Sequence, residues 1–152
     1  MLIYRLVKKK YRKNPIDPEG ARLYGGRWNS KGKGVVYFAD SISLATLEML
    51  VHIEQRDLLK VYALCSVQIT SHMILTLEDS DLPADWQSDP APHSTALIGD
   101  EWIDTKDSLV LSIPSTIVPE QRNYLINPLH PKFKKVVKTI SVQSHRFDAR
   151  LK

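Results

Sequence analysis

The strongest constraint on the fold is the alternation over Lys60–Ile69, where Val61, Ala63, Cys65, Val67 and Ile69 share one face and more mixed residues the other. A period of two with one apolar face predicts a strand lying on a hydrophobic core. Leu2–Leu6, Val35–Ala39 and Leu109–Ile113 add three further runs of strand length, and a last strand is expected over Val136–Val142. Ile74–Leu77 extends the Lys60–Ile69 strand or pairs near it. Two stretches carry the helical period instead. Ser41–Glu54 spaces Ile42, Leu44, Ala45, Leu47, Leu50, Val51 and Ile53 as a helix, with Asp40 or Ser41 as its cap. Ser94–Asp104 reads as a second helix, weakened by Gly99, with Leu97, Ile98 and Trp102 as packing residues. A chain of 152 residues with no repeat and no linker fits one domain, 1–152.

The segments between these elements hold the candidate chemistry. Residues 8–33 are polar and broken by Asn14-Pro15, Asp17-Pro18 and several glycines, which predicts a long loop. Loops of that length inside compact domains are usually functional or disordered. This one ends in Gly25-Gly26-Arg27-Trp28-Asn29. Two glycines let the backbone turn tightly or approach a ligand, and a guanidinium, an indole and a carboxamide follow at once. Tyr37 lies on the next strand. Glu48 lies on the helix behind it, with Leu44 and Ala45 one turn before and Val51 one turn after. That stripe is apolar, and an ionised carboxylate there is costly without partners. A boundary position that reaches water is the other reading, and both stay open at this point. The Leu109–Ile113 strand ends in Pro114-Ser115, and Thr116–Pro119 resumes extended chain, so Ser115 is held rigidly beside a sheet. Glu78–Pro92 is an acidic, proline-broken surface excursion, Asn123–Pro131 is turn-rich, and Phe147–Leu151 closes the chain.

Several chemistries are missing from the sequence. It has no phosphate loop ending in Gly-Lys-Ser/Thr, no Gly-x-Gly-x-x-Gly turn and no Gly-x-Ser-x-Gly elbow, so Ser115 is not a nucleophile of that type. The five histidines lack metal-ligand spacing, and no metal is expected; His52, one turn after Glu48, could join a site, although a satisfied structural histidine is the commoner case. Trp28 and Tyr37, taken alone, read as packing residues. The lone Cys65 suits a reducing cytoplasm. No apolar run approaches the ~20 residues of a membrane span. Lys8-Lys9-Lys10 has no apolar core behind it, so no export signal is read. The net charge of +4 gathers at the two ends, with acids in the middle. A solvated surface explains most of that pattern, a polyanionic ligand or acidic partner comes next, and DNA last.

Taken together, the short motifs resemble one family. Tyr4-Arg5 comes first, then Gly25-Gly26-Arg27-Trp28-Asn29, then Val36–Ala39 with Ser43–Glu48 behind it. Ile113-Pro114-Ser115, Asn123–Pro131 and Phe147–Leu151 complete the set. In this order, from residue 4 to residue 151, they resemble the RES-domain toxins of bacterial toxin–antitoxin (RES–Xre) pairs, named for an arginine, a glutamate and a serine. Those three map to Arg27, Glu48 and Ser115, which the resemblance makes catalytic. It implies an α+β, ADP-ribosyltransferase-like fold, with two antiparallel β-sheets flanked by helices around a cleft. It implies NAD⁺ as substrate, with the nicotinamide–ribose bond cleaved by water or phosphate. Transfer of ADP-ribose to a protein is the alternative, and a basic nucleic-acid-binding domain a third reading. The partner it implies is an Xre-like helix-turn-helix antitoxin that blocks the cleft and carries any DNA contact. Arg27 and then Arg5 suit the pyrophosphate, since a planar fork makes paired charge-assisted bonds. Glu48 would take a ribose hydroxyl, Ser115 the ribose or carboxamide, and Tyr37 the face of the nicotinamide ring. Trp28 and Asn29 complete the expected substrate-binding set.

Overall fold

A computed structural model describes residues 1–54 and 61–151 of the chain. Lys60, the first residue of the alternating run, lies outside the described residues, and so does Lys152. The elements are β1 (Leu2–Lys8), α1 (Glu19–Tyr24), β2 (Val36–Ala39), α2 (Ile42–Leu50), β3 (Tyr62–Gln68) and β4 (Ile74–Thr76). They continue with α3 (His93–Thr105), β5 (Val110–Pro114), β6 (Arg122–Ile126), α4 (Phe133–Val137) and β7 (Ser141–His145). Among the described residues no helix is long and apolar enough to cross a membrane.

The expectation of two antiparallel sheets is corrected. The strands form one seven-stranded sheet in the order β4-β5-β6-β2-β1-β3-β7, and it is mixed, because β4 runs parallel to β5. The sheet is nevertheless close to divided. β1 pairs with β3 from Leu2↔Gln68 through Lys8↔Tyr62, and β2 with β6 from Val36↔Ile126 through Ala39↔Asn123. Between those two pairs, β1 and β2 meet at the single register position Tyr4↔Ala39. The Arg5 guanidinium reaches across this junction, its Nη1 donating to the Tyr37 carbonyl at 3.0 Å.

Side-chain alternation sorts the core to match. One face packs Ile3, Val36, Phe38, Cys65, Val67, Val110, Tyr124 and Ile126 into a single cluster. The other face carries two. Leu6, Ala39, Leu44, Ala45, Tyr62 and Leu64 gather under α2, while Trp28, Val35, Trp102, Ile103, Leu111, Ile113 and Leu125 gather under α3. Burial pushes the Cys65 thiol up to about 11, so it packs as a small apolar group.

Local chemistry explains where the elements depart from expectation. Residues 8–33 are not all loop: Asp17 Oδ1 accepts the Glu19 N–H, Glu19 pairs with Arg22 one turn on, and α1 ends at Gly25 with φ +72°. The helix behind β2 stops at Leu50, earlier than its apolar residues suggest, and Ser41 is its cap, Oγ accepting the Leu44 N–H. Thr116–Pro119 is not extended. Ser115 Oγ accepts the N–H groups of both Ile117 and Val118, which folds the chain back until the Ser115 N–H donates to the Gln121 carbonyl. The first part of the turn-rich Asn123–Pro131 stretch is strand β6, and turns begin at Asn127. The last strand lies later than expected, because Phe133, Val136 and Val137 have i, i+3, i+4 spacing and form α4.

α3 is seated by its glycine. A Cβ at Gly99 would lie 1.8 Å from the Trp28 carbonyl oxygen, a backbone atom that cannot swing away. Gly99→Ala is therefore expected to lift α3 off the Trp28 turn and cost about 1–3 kcal/mol of stability. A denaturant melt checks this, and a variant as stable as the parent would show that the helix is not seated there.

Candidate active site

A cleft of about 1030 Å³ opens where β1 and β2 diverge, with walls drawn from the two clusters on the helix-covered face and from Phe38. Its volume is at the upper end of the range of about 300–1,000 Å³ usual for small-molecule sites. β1 supplies Tyr4 and Arg5, the α1–β2 connection Gly25 to Trp28, β2 Tyr37, α2 Glu48, the turn just after α2 His52, and β6 Asn123. Gln87 and Asp89 close one side from the acidic excursion.

Glu48 sits on α2 one turn beyond buried Leu44 and Ala45, and it has partners. Its Oε1 accepts from Ser115 Oγ at 2.9 Å and from Asn123 Nδ2 at 2.5 Å. Among the described residues nothing donates to its Oε2, so one edge of the carboxylate is fixed and the other is left for the cleft. The apolar stripe is thus reconciled with the charge by two donors on β5–β6, 67 and 75 residues away in sequence.

Ser115 is fully buried, and it is not among the residues that line the cleft. Its hydroxyl donates to Glu48 and accepts two backbone N–H groups. The structure places it behind the carboxylate.

Arg27 projects from the turn after Gly25-Gly26. One nitrogen, Nη1, donates to the carbonyls of Trp86 (2.6 Å) and Ser88 (2.9 Å). Among the described residues no carboxylate pairs with it, and none accepts a hydrogen bond from its Nε or Nη2. The acidic excursion thus holds Arg27 through backbone oxygens, and the guanidinium keeps N–H groups for an anion. Arg5 is half-buried. Burial holds its guanidinium below the ordinary value, against the raising influence of Cys65 and Asp17. Its Nε is shielded from solvent and has no partner. Two guanidinium groups without carboxylate partners among the described residues therefore line one cleft.

Of the remaining expected contacts, Trp28 and Tyr37 line the cleft and Asn29 does not. Trp28 is 2% exposed and packs with Trp102, Val35 and Leu111, so its ring is core. Asn29 is buried, its Nδ2 donating to the Ala21 and Lys33 carbonyls and its Oδ1 accepting the Tyr37 hydroxyl at 2.7 Å. That hydroxyl also accepts the Trp28 N–H, and a Cβ at Gly26 would stand 2.8 Å from it. Burial is the main cause that pushes the Tyr37 pKa up, so the group stays a neutral donor. Trp28, Asn29 and Tyr37 together brace the turn that presents Arg27, and of the three Trp28 and Tyr37 also line the cleft, Tyr37 being only half-buried. Sequence reasoning missed Asn123 as a site residue. Its strand position opposite Ala39 beside the Tyr4↔Ala39 junction is the signal that would have found it, and that signal exists only in the register.

Comparison with known proteins follows this geometry. The family described as RES domain matches residues 2–149. Toxin Res of Yersinia enterocolitica (serotype O:8 / biotype 1B) is 43% identical over 152 residues, covering 100% of both chains. Toxin Res of Photorhabdus laumondii is 40% identical over 151 residues, covering 99% of this chain and 97% of the relative. A protein of Sphingobium sp. (strain YBL2) named Prs ADP-ribosylating toxin is 33% identical over 146 residues, covering 94% and 90%. Among solved structures, the M. tuberculosis MbcT–MbcA toxin–antitoxin complex contains a chain that aligns with a TM-score of 0.72 at 17% identity, covering 99% of this chain and 85% of that one. That likeness is one of fold.

Proposed function

The chain belongs to the RES-domain toxin family, and from that premise we propose that it is the toxin of a toxin–antitoxin pair and destroys NAD⁺ by cleaving the nicotinamide–ribose bond. The observation that carries this reading is the half-clamped Glu48: among the described residues one oxygen is fixed by Ser115 and Asn123 and the other is free, in a cleft that also holds two guanidinium groups with no carboxylate partner among those residues.

In the proposed reaction the bond between the ribose C1′ and the pyridinium nitrogen breaks, and its electron pair returns to the ring, which leaves as neutral nicotinamide. Positive charge then develops on the ribose, as in glycoside cleavage. Glu48 Oε2 takes the hydroxyl next to the reacting carbon and faces that charge, an interaction that strengthens toward the transition state. Arg27 and Arg5 bind the pyrophosphate, and Tyr37 offers its ring edge to the leaving nicotinamide. Ser115 acts from behind by fixing Glu48, and Trp28 and Asn29 by fixing the turn. Water or phosphate adds to C1′; water, on addition, loses its proton to bulk solvent.

A second reading, transfer of ADP-ribose to a protein side chain, is favoured by one observation, the name ADP-ribosylating toxin carried by the Sphingobium relative. The partner in either case is a cognate Xre-like antitoxin with a helix-turn-helix part, which blocks the cleft in competition with NAD⁺. Direct DNA contact belongs to that partner. One experiment separates the acceptors. The purified protein is incubated with NAD⁺ in phosphate-free buffer, in phosphate buffer, and with a bacterial lysate carrying labelled NAD⁺. Free ADP-ribose in the first identifies water, phosphorylated ADP-ribose found only in the second identifies phosphate, and a labelled protein band identifies transfer. No nicotinamide in any arm overturns the reading.

A further inference from the structure

Buried polar side-chain atoms in folded proteins nearly always have a partner. Among the described residues three lack one: Arg5 Nε, Asp40 Oδ1 and Asn123 Oδ1. Of the three residues, Arg5 and Asn123 line the cleft and Asp40 does not. Asn123 is the more informative, because its other amide atom is already assigned. Nδ2 donates to Glu48 Oε1 at 2.5 Å, which fixes the carboxamide's orientation: nitrogen toward the carboxylate, oxygen away from it. The residue therefore lines the cleft beside Glu48 and carries an acceptor that is shielded from solvent and has no donor among the described residues.

We infer that Asn123 is a substrate-binding residue of this site, its Oδ1 accepting the ribose hydroxyl one carbon beyond the hydroxyl that Glu48 takes. This rests on the NAD⁺ reading and deepens it, since it names how the ribose is recognised. A ribose presents two adjacent hydroxyls on one face, and two neighbouring acceptors match them: Glu48 Oε2 for the 2′-hydroxyl and Asn123 Oδ1 for the 3′-hydroxyl. Oδ1 is shielded from bulk water, so a hydrogen bond made there is stronger than one in solvent. To meet the hydroxyl the carboxamide would turn about χ2, a broad torsion in asparagine. Asn123 is itself held on β6, opposite Ala39 on β2 and Ile113 on β5, so both acceptors are carried by regular elements. The pair would thus discriminate ribose from its deoxy forms at two adjacent carbons.

The test couples the residue to the hydroxyl. NAD⁺ and an analogue whose nicotinamide ribose lacks the 3′-hydroxyl are compared on the unmodified protein and on Asn123→Ala, reading kcat/KM from nicotinamide release. On the unmodified protein the analogue is expected to lose at least about tenfold. On Asn123→Ala, NAD⁺ itself falls, and the analogue's penalty shrinks to within about twofold, because the hydroxyl has lost its acceptor. A residue that merely supports the strand would leave the two losses multiplicative, and that result overturns the inference. Equal turnover of NAD⁺ and analogue by the unmodified protein overturns it as well, with no need for the variant to fold. Failure of the unmodified protein to release nicotinamide from NAD⁺ overturns the reading on which it rests.

Discussion

Glu48→Gln is expected to lower NAD⁺ consumption at least about 100-fold, chiefly in kcat, and to leave the fold in place. The substitution is mild where the protein holds the side chain. The glutamine's carbonyl oxygen can accept from Ser115 Oγ and Asn123 Nδ2 as Glu48 Oε1 does, so α2 keeps its attachment to β5 and β6. It is severe on the other side, where an amide NH₂ replaces the free Oε2. A donor stands where the ribose hydroxyl needs an acceptor, and the negative charge opposite the developing cation is gone. Loss of one such preorganised group typically removes a factor of about 10²–10³. Nicotinamide release gives the rate, and a thermal melt beside it shows whether the fold survived. A variant folded like the parent and turning over within a few-fold of it would take Glu48 out of the reaction.

How much of this was legible in the sequence follows from the range of the forces involved. Glu48 stood out because its signal is local: buried Leu44 and Ala45 lie one turn before it on the same helix, although Val51, expected on the same stripe, is the helix's exposed C-cap. The rigid seat of Ser115 was equally local, set by the prolines around it. Its direction was not, because a buried serine facing a carboxylate 67 residues away looks in sequence like one facing a ligand. Trp28 shows the same limit. A tryptophan after two glycines can lie on either side of the chain, and the buried seat under Trp102 and beside Gly99 decided it. The sheet was misjudged at its junction. Strand identity is written in alternation, but whether β1 and β2 pair fully, at one position or not at all depends on twist and register, which no single strand encodes. Asn123 was hidden for that reason, since its importance comes from lying opposite Ala39 beside the β1–β2 divergence.

Arg27→Lys is expected to weaken NAD⁺ binding by about 10- to 100-fold, although the charge is kept. Arg27 has two tasks in different directions. Nη1 ties down the acidic excursion through the Trp86 and Ser88 carbonyls, while Nε and Nη2 remain for the pyrophosphate. A planar fork can do both at once, whereas an ammonium is a single point with three donors and must choose. If the lysine stays with the carbonyls, the pyrophosphate loses one or two charge-assisted hydrogen bonds, each worth about 1.5–3 kcal/mol. If it turns to the phosphate, the excursion is released and the cleft loses the wall formed by Gln87 and Asp89. The two routes weaken binding alike and differ in a second observable. Release exposes the excursion's own turn bonds, Trp86 N–H to the Pro83 carbonyl and Ser88 N–H to the Asp85 carbonyl, and amide exchange at Trp86 and Ser88 speeds up. Calorimetry with NAD⁺ and exchange on the free variant therefore read the two tasks separately. Unchanged affinity together with faster exchange would leave Arg27 as a strut for the excursion, and the pyrophosphate would then fall to Arg5 alone.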